Sequence, residues 1–242
     1  MKYKIRAFFG VRFTPTFDLM MAITTELVMI VFGLISSKTQ QLIPGLVING
    51  VLIPLLLSVL VPLLFILAYK KQPLASLGIK KHFLFSSLLI SFALSIVLFQ
   101  SFIPITRDSN HILPLLLHNG LMLWQPFFIY GWLQLRFENA FGPIPSIILS
   151  GLCYGLNHLG TLPASILLPY IGLGLFFGLV FKLAESNLFV LFPMTWMVGT
   201  TAVQANHSIA LQWHGYGLVT ILFLCVLFIL IGHVARRRRL NQ

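Results

Sequence analysis

The sequence predicts an all-α fold, a polytopic transmembrane bundle of about eight helices. Of the 242 residues 58% are hydrophobic and only 9% are charged, and the mean hydropathy is +0.95. Water-soluble chains are about a quarter charged, so the bilayer is the solvent that fits this composition. A spanning helix needs about 20 mostly apolar residues. Eight stretches meet that requirement: 17–36, 44–68, 83–104, 112–133, 141–158, 164–182, 187–205 and 216–235.

The first two spans have features of their own. The span 17–36 is not expected to be a cleaved signal peptide, because its apolar run is too long and no small-residue cleavage site follows. The second span is long enough to tilt or to kink at Pro54 and Pro62. The connection 70–81 that follows it is expected to be a short structured turn.

The chain is expected to be one transmembrane domain, 17–235, between two basic segments. Residues 1–16 are basic and aromatic, as in a segment that lies along the membrane interface. Residues 236–242 form a basic cytoplasmic tail. No linker or low-complexity tract divides the apolar part.

The basic residues indicate the topology. The formal net charge is +11, and 14 of the 16 Lys and Arg residues fall on one side of an eight-span arrangement. Lys38 and Arg107 fall on the other side. The positive-inside rule therefore puts both termini in the cytoplasm, in a multi-pass cell-membrane protein. The arginine run 236–239 is interpreted as an anchor at anionic membrane lipids, and no nucleic-acid partner is expected.

Small residues recur at four-residue spacing in spans five and six. Gly151 precedes Gly155, and Gly174 precedes Gly178. Such pairs let helices approach closely in lipid, and packing between spans five and six is favoured over a dimer interface. Cysteines occur only inside predicted spans, without metal or disulfide spacing. Neither a metal nor a cofactor is expected.

Polar side chains inside the spans are the candidate functional residues. An acid at the centre of a spanning helix costs about 2.5–3.5 kcal/mol on insertion scales, so each needs a partner or a use. Glu26 is expected to be protonated or paired with a neighbouring span. His118 and Gln125 lie on nearly one face of span four, and His118 is expected to be a satisfied polar contact. Asn157 and the adjacent His158 point about 100° apart, so they face different neighbours.

From Lys70 onward the chain resembles the CPBP family, the CAAX-protease and bacteriocin-processing membrane proteins. One match is the turn 72–80, which contains Leu77-Gly78. The stronger match runs from Gln125 to about Thr201, within a core of about 112–205. It contains Tyr130-Gly131, Leu135-Arg136-Phe137-Glu138, Phe141-Gly142-Pro143, Ser150, Tyr154-Gly155-Leu156-Asn157-His158 and the Gly-rich stretch 172–178.

The resemblance implies three motifs, and this chain keeps one. Where the family has a Glu-Glu pair followed by Arg, this chain has Gln125-Pro126 and Tyr130. The second motif, an aromatic residue four before a His, is met by Tyr154 and His158. The third motif is a His with Asn or another small residue four later, and it corresponds here to Trp196 and Thr200.

These replacements bear on the chemistry that the resemblance implies, in which a Glu and a His activate water for peptide hydrolysis. The amide of Gln125 cannot take a proton, so it cannot act as a general base. The sequence therefore favours a catalytically degenerate protein that binds a peptide, a lipid or a membrane-protein partner. Two alternatives remain open. One is an active endopeptidase, for CAAX or leader-peptide processing, in which Glu26 is a displaced acid paired with His158. The other is a bacteriocin self-immunity or transport-like protein.

The two motif positions are expected at different depths. Placing Arg136 at the cytoplasmic face puts Gln125 near the middle of the bilayer. His158 then falls nearer the outer end of its own span. Helix tilt, or a later start of span five, would bring them closer.

Overall fold

The structure is a computed structural model that describes residues 8–38, 44–45, 47–99, 123–160, 162 and 164–195. In these residues the chain is helical and contains no strand, so the all-α class is confirmed. The predicted span 216–235 and the tail 236–242 lie outside the described residues. The same is true of His118, Trp196 and Thr200.

The helices follow most of the predicted spans. The principal ones are α1 Phe17–Lys38, α2 Val47–Tyr69, α3 Leu84–Phe99, α4 at 124–141, α5 Pro143–Leu156 and α6 Ala164–Leu183. Short 3₁₀ turns occupy Leu74–Leu77 and Leu188–Val190. Wider π-helical turns make up most of α2 and the middle of α4, at Phe127–Gln134.

Two of these helices are long and apolar enough to cross a membrane. Helix α1 has 22 residues with a mean hydropathy of 2.1, and α2 has 23 residues with a mean hydropathy of 2.9. Helices α3, α5 and α6 are apolar over shorter lengths in the described residues. Composition and length thus indicate a membrane-associated helical protein, while the count of eight spans stays a prediction.

The boundary between the fourth and fifth helices differs from the predicted one. The sequence suggested a span ending at 133 and the next beginning at 141, but α4 continues to Phe141 and α5 begins at Pro143. Arg136 is accommodated inside the helix end, where its guanidinium lies 4.7 Å from the centre of the Trp132 ring. The break comes at Gly142, whose φ of +94° is accessible to glycine but strained for other residues.

Helix α4 is the centre of the described bundle. All eight residues of its π-helical segment are buried, and the polar side chains of that segment are hydrogen-bonded to other helices. The Tyr130 hydroxyl donates to the Gly174 carbonyl at 3.1 Å, and the Trp132 Nε1 donates to Thr25 Oγ1 at 3.1 Å. These bonds fix α4 against α6 and α1, because a buried polar group without a partner is costly.

Helices α5 and α6 pack through their glycines, as the four-residue spacing predicted. A Cβ on Gly174 would lie 2.7 Å from the Tyr154 Cβ and 2.9 Å from the Gly151 carbonyl oxygen. A Cβ on Gly155 would lie 2.3 Å from Ile171 Cγ1. Both distances are shorter than van der Waals contact. The expectation that these small residues serve intramolecular packing is therefore confirmed.

The connection after α2 is a structured turn, as expected. Gly78 has a φ of +78°, and its carbonyl accepts a hydrogen bond from the Leu188 N–H at 2.9 Å. Asn187 Nδ2 donates to the His82 carbonyl at 2.9 Å. Partial burial lowers the pKa of Lys80 in this turn, while nearby Glu185 opposes the shift. These hydrogen bonds hold the turn against Asn187 and Leu188, which follow α6.

The chain before α1 lies across the end of α4. We call residues 8–16 the strap. The Arg12 N–H donates to the Phe141 carbonyl at 3.1 Å, and the Thr14 N–H donates to the Ala140 carbonyl at 2.9 Å. The last carbonyls of a helix lack intrahelical partners. Here the N–H groups of the strap are their hydrogen-bond donors. The strap is therefore part of the folded body, and the end of α4 lies beside the start of α1.

Candidate functional site

Two of the predicted motif positions meet. Gln125 lies in the first turn of α4 and His158 in the turn after α5, and their Nε2 atoms are 3.2 Å apart. The turn is formed by backbone hydrogen bonds from Asn157 to Cys153 and from His158 to Gly155. Since α5 ends at Leu156, His158 lies beyond the helix rather than on its face. Gln125 and His158 were expected at different depths in the bilayer, but their side chains are in contact.

The contact constrains the protonation of His158. The Gln125 atom that faces the ring is the amide nitrogen, which donates and does not accept. With the amide in this orientation, His158 Nε2 is the acceptor and a neutral ring carries its proton on Nδ1. The lone pair that a general base would use is then engaged by the amide.

Tyrosine rings enclose the histidine. The ring centre of His158 lies 4.6 Å from that of Tyr170 and 5.6 Å from that of Tyr154, both edge-to-face. Tyr154 is buried and stacks on Tyr170, with ring centres 6.1 Å apart. This packing fixes the ring of His158, so the position of its Nε2 is set by the fold.

Glu26 occupies a second polar position beside the first. It is 5% exposed, and its Oε2 accepts a hydrogen bond from Asn157 Nδ2 at 3.5 Å. Its Oε1 is buried and has no hydrogen-bond partner in the described part of the chain. The Cys153 side chain lies next to the same carboxyl group. The acid thus faces the interior and meets a polar group from another helix, as an intramembrane acid requires.

Asn157 and His158 serve different neighbours, as their expected angular separation predicted. Asn157 reaches Glu26 on α1, and His158 reaches Gln125 on α4. Two polar contacts therefore lie side by side where α1, α4 and α5 meet. We call Glu26, Gln125, Asn157 and His158 the polar centre.

The remaining predicted site residues are Tyr154, Tyr130, Trp196 and Thr200. Tyr154 belongs to the enclosure of His158. Tyr130 is fully buried, stacks near Tyr154 with ring centres 6.5 Å apart, and directs its hydroxyl to Gly174. It therefore ties helices together in the position where the resemblance implies an arginine. Trp196 and Thr200 lie outside the described residues.

Sequence reasoning did not select Tyr170, and it singled out Asn157 only as a polar residue inside a span, without a role in the motifs. Tyr170 follows Pro169 in an otherwise apolar span, and a hydroxyl-bearing ring there was the available signal. For Asn157 the signal was an amide next to the motif histidine. Within the described ranges, no three His, Cys, Asp or Glu side chains come together as metal ligands.

Comparison of the chain with protein-family models, with curated proteins and with solved structures finds no match. The resemblance to the CPBP family therefore rests on the residues and motifs described above. The chemistry of the polar centre is argued from its own geometry.

Proposed function

We propose that this chain is a multi-pass membrane protein of the CPBP type without hydrolytic activity. It uses the polar centre to bind a peptide, a lipid or a membrane-protein partner. The observation that carries the proposal is the 3.2 Å contact between Gln125 and His158. The resemblance implies a glutamate and a histidine at these two positions, and an amide stands at the acidic one.

The amide changes what the pair can do. A carboxylate beside a histidine takes up and returns a proton, whereas an amide does neither at neutral pH. Gln125 and His158 instead offer hydrogen bonds to a polar group that enters between α4 and α5. Pro126, the next residue, supplies no acid or base. These replacements support binding without cleavage.

The arrangement of charge supports a bilayer setting with about eight spans and both termini in the cytoplasm. Lys70 pairs with Asp18 at 2.7 Å, and Lys182 pairs with Glu138. Because the strap joins the end of α4 to the start of α1, both ion pairs belong to one end of the bundle. This end carries the cations that the positive-inside rule puts in the cytoplasm.

A second candidate function is intramembrane proteolysis with Glu26 as a displaced acid. The observation in its favour is the buried Glu26 Oε1, which has no hydrogen-bond partner among the described residues. Its carboxyl group is held by the residue next to His158. This candidate requires water between Glu26 and His158, at hydrogen-bond distance from both. A bacteriocin self-immunity or transport-like role is a separate alternative.

Cleavage assays separate the first two candidates. The purified protein is incubated with a prenylated CAAX peptide and with a leader-bearing bacteriocin precursor. We expect no cleavage above that of the His158→Ala and Glu26→Gln variants. Cleavage that disappears in both variants would overturn the binding proposal and favour the displaced acid.

Photocrosslinking tests binding directly. A photoreactive phenylalanine is placed at Tyr170, which lies against His158, and at Leu179, an exposed position on the same helix. In the native membrane we expect a discrete peptide, lipid or protein adduct at position 170 that is absent at position 179. Equal labelling at both positions would contradict a binding site at the polar centre.

A further inference from the structure

A cleft opens between the strap and the ends of α4 and α6. It lies at the other end of α4 from Gln125. Its volume is about 570 Å³. The residues that matter for its chemistry are Phe8, Val11, Arg12, Glu138, Pro143 and Lys182. None of them belongs to the polar centre, so the cleft is a separate feature of the fold.

The cleft contains two cations and one acid. Lys182 Nζ is paired with Glu138 Oε1, and Arg12 Nη2 donates to the Glu138 backbone carbonyl at 3.1 Å. Arginine has five N–H donors in a planar fork suited to phosphate oxygens. One carboxylate cannot balance both cations, so the local charge favours an anion.

Glu138 also has an unused acceptor. Its Oε2 is buried and has no hydrogen-bond partner among the described residues. Because solvent does not reach this oxygen, a ligand in the cleft does not reach it either. The cleft therefore matches a ligand by its two cations, which call for an anionic group beside Arg12 and Lys182.

The surroundings of the cleft are apolar. Phe9, Val11 and Phe13 on the strap are 63%, 74% and 72% exposed. Aromatic and aliphatic side chains next to basic ones are typical of segments that lie in the headgroup region of a membrane. The occupant of the cleft therefore has an apolar part beside its polar head.

We propose that this cleft binds the headgroup of a membrane phospholipid. Arg12 and Lys182 contact its phosphate. The strap side chains lie among the lipid tails. This assignment rests on the proposed membrane setting but not on the role of the polar centre.

Native mass spectrometry of the detergent-purified full-length protein tests the assignment. The protein is titrated with phosphatidylglycerol, phosphatidylethanolamine and phosphatidylcholine. We expect phosphatidylglycerol to be retained more than phosphatidylethanolamine and phosphatidylcholine, because Arg12 and Lys182 favour a headgroup with a net negative charge. Arg12→Gln and Lys182→Gln should each lower retention of phosphatidylglycerol about fivefold.

The matched control is Lys81→Gln, which removes the same charge from an exposed position outside the cleft. It should leave retention unchanged. Val11→Trp keeps both cations but fills the cleft, and it should also lower retention. Val11→Trp therefore still tests the cleft if a charge substitution prevents folding.

Three results would overturn the proposal. Equal retention in the wild type and in the Arg12, Lys182 and Val11 variants would show that lipid binds elsewhere. A loss in Lys81→Gln as large as in Arg12→Gln would indicate general charge attraction. Displacement of the lipid by millimolar inorganic phosphate would make the cleft a site for free anions. Each readout is independent of cleavage and of crosslinking at Tyr170, so failure here is separable from failure of the proposed function.

Discussion

The side-chain nitrogens of Gln125 and His158 lie 3.2 Å apart although the residues are 33 positions apart in the chain. The contact joins the start of α4 to the turn that follows α5. It therefore bears on stability as well as on binding, and the two can be measured separately.

The Gln125–His158 contact should appear as a coupling energy. In a double-mutant cycle with Gln125→Leu and His158→Ala, we expect about 0.6 kcal/mol, and at most about 1.7 kcal/mol, as for other hydrogen bonds inside membrane proteins. Reversible unfolding in mixed detergent gives the free energies. Lys70→Gln serves as the control, because its partner is Asp18 and its effect should add to that of His158→Ala. Strict additivity of the Gln125 and His158 changes would show that the contact does not stabilise the fold.

Glu26 should tolerate an amide better than a hydrocarbon. Glu26→Gln keeps an oxygen acceptor for Asn157 Nδ2 and should change the free energy of unfolding by less than about 0.5 kcal/mol. Glu26→Leu leaves the Asn157 donor without that acceptor and should cost about 1–3 kcal/mol. Thermal unfolding of both variants in detergent checks the ranking. The reverse order would mean that the hydrogen bond between Glu26 and Asn157 does not stabilise the fold.

The glycines between α5 and α6 provide a matched pair. Gly174→Ala should destabilise the protein by about 1–3 kcal/mol, because the new Cβ would lie 2.7 Å from the Tyr154 Cβ. Gly172→Ala, two residues away, introduces a Cβ with nothing within 4 Å. It should be neutral or stabilise the helix by up to about 1 kcal/mol. Similar melting temperatures for the two variants would contradict the close packing seen at Gly174.

The charge distribution predicts the membrane topology. With eight spans and cytoplasmic termini, reporter fusions after Arg107 and after Arg239 should report opposite sides of the membrane. Alkaline phosphatase and a fluorescent protein, each fused at both positions, provide complementary signals. Same-side signals from the two positions would disprove the eight-span arrangement.

The sequence predicted those features that depend on composition and spacing. The first span, 17–36, corresponds closely to α1, because a long apolar run has one stable structure in lipid. The glycine spacing identified the α5–α6 interface for a similar reason, since small residues permit a close approach. Both inferences use information that is local in the sequence.

The features that the sequence did not predict depend on tertiary contacts. The extension of α4 to Phe141 requires a partner for Arg136, and that partner is the Trp132 ring together with the Ser76 carbonyl. The meeting of Gln125 with His158 depends on the turn after Leu156. Hydropathy does not report these features, because the Ser76 carbonyl and the turn after Leu156 lie far from their α4 partners in the sequence.

The strap has a consequence for the order in which the protein is built. Arg12 and Glu138, which it joins, are 126 residues apart. A chain leaves the ribosome from its N-terminus at about 5–20 residues per second. Several seconds therefore pass between the synthesis of Arg12 and that of Glu138. Helices α1, α2 and α3 are synthesised in that interval while the strap has no helix end to bind. The strap can therefore close only after α4 has been synthesised. A stalled chain shorter than about 140 residues would lack the hydrogen-bond partners of the strap.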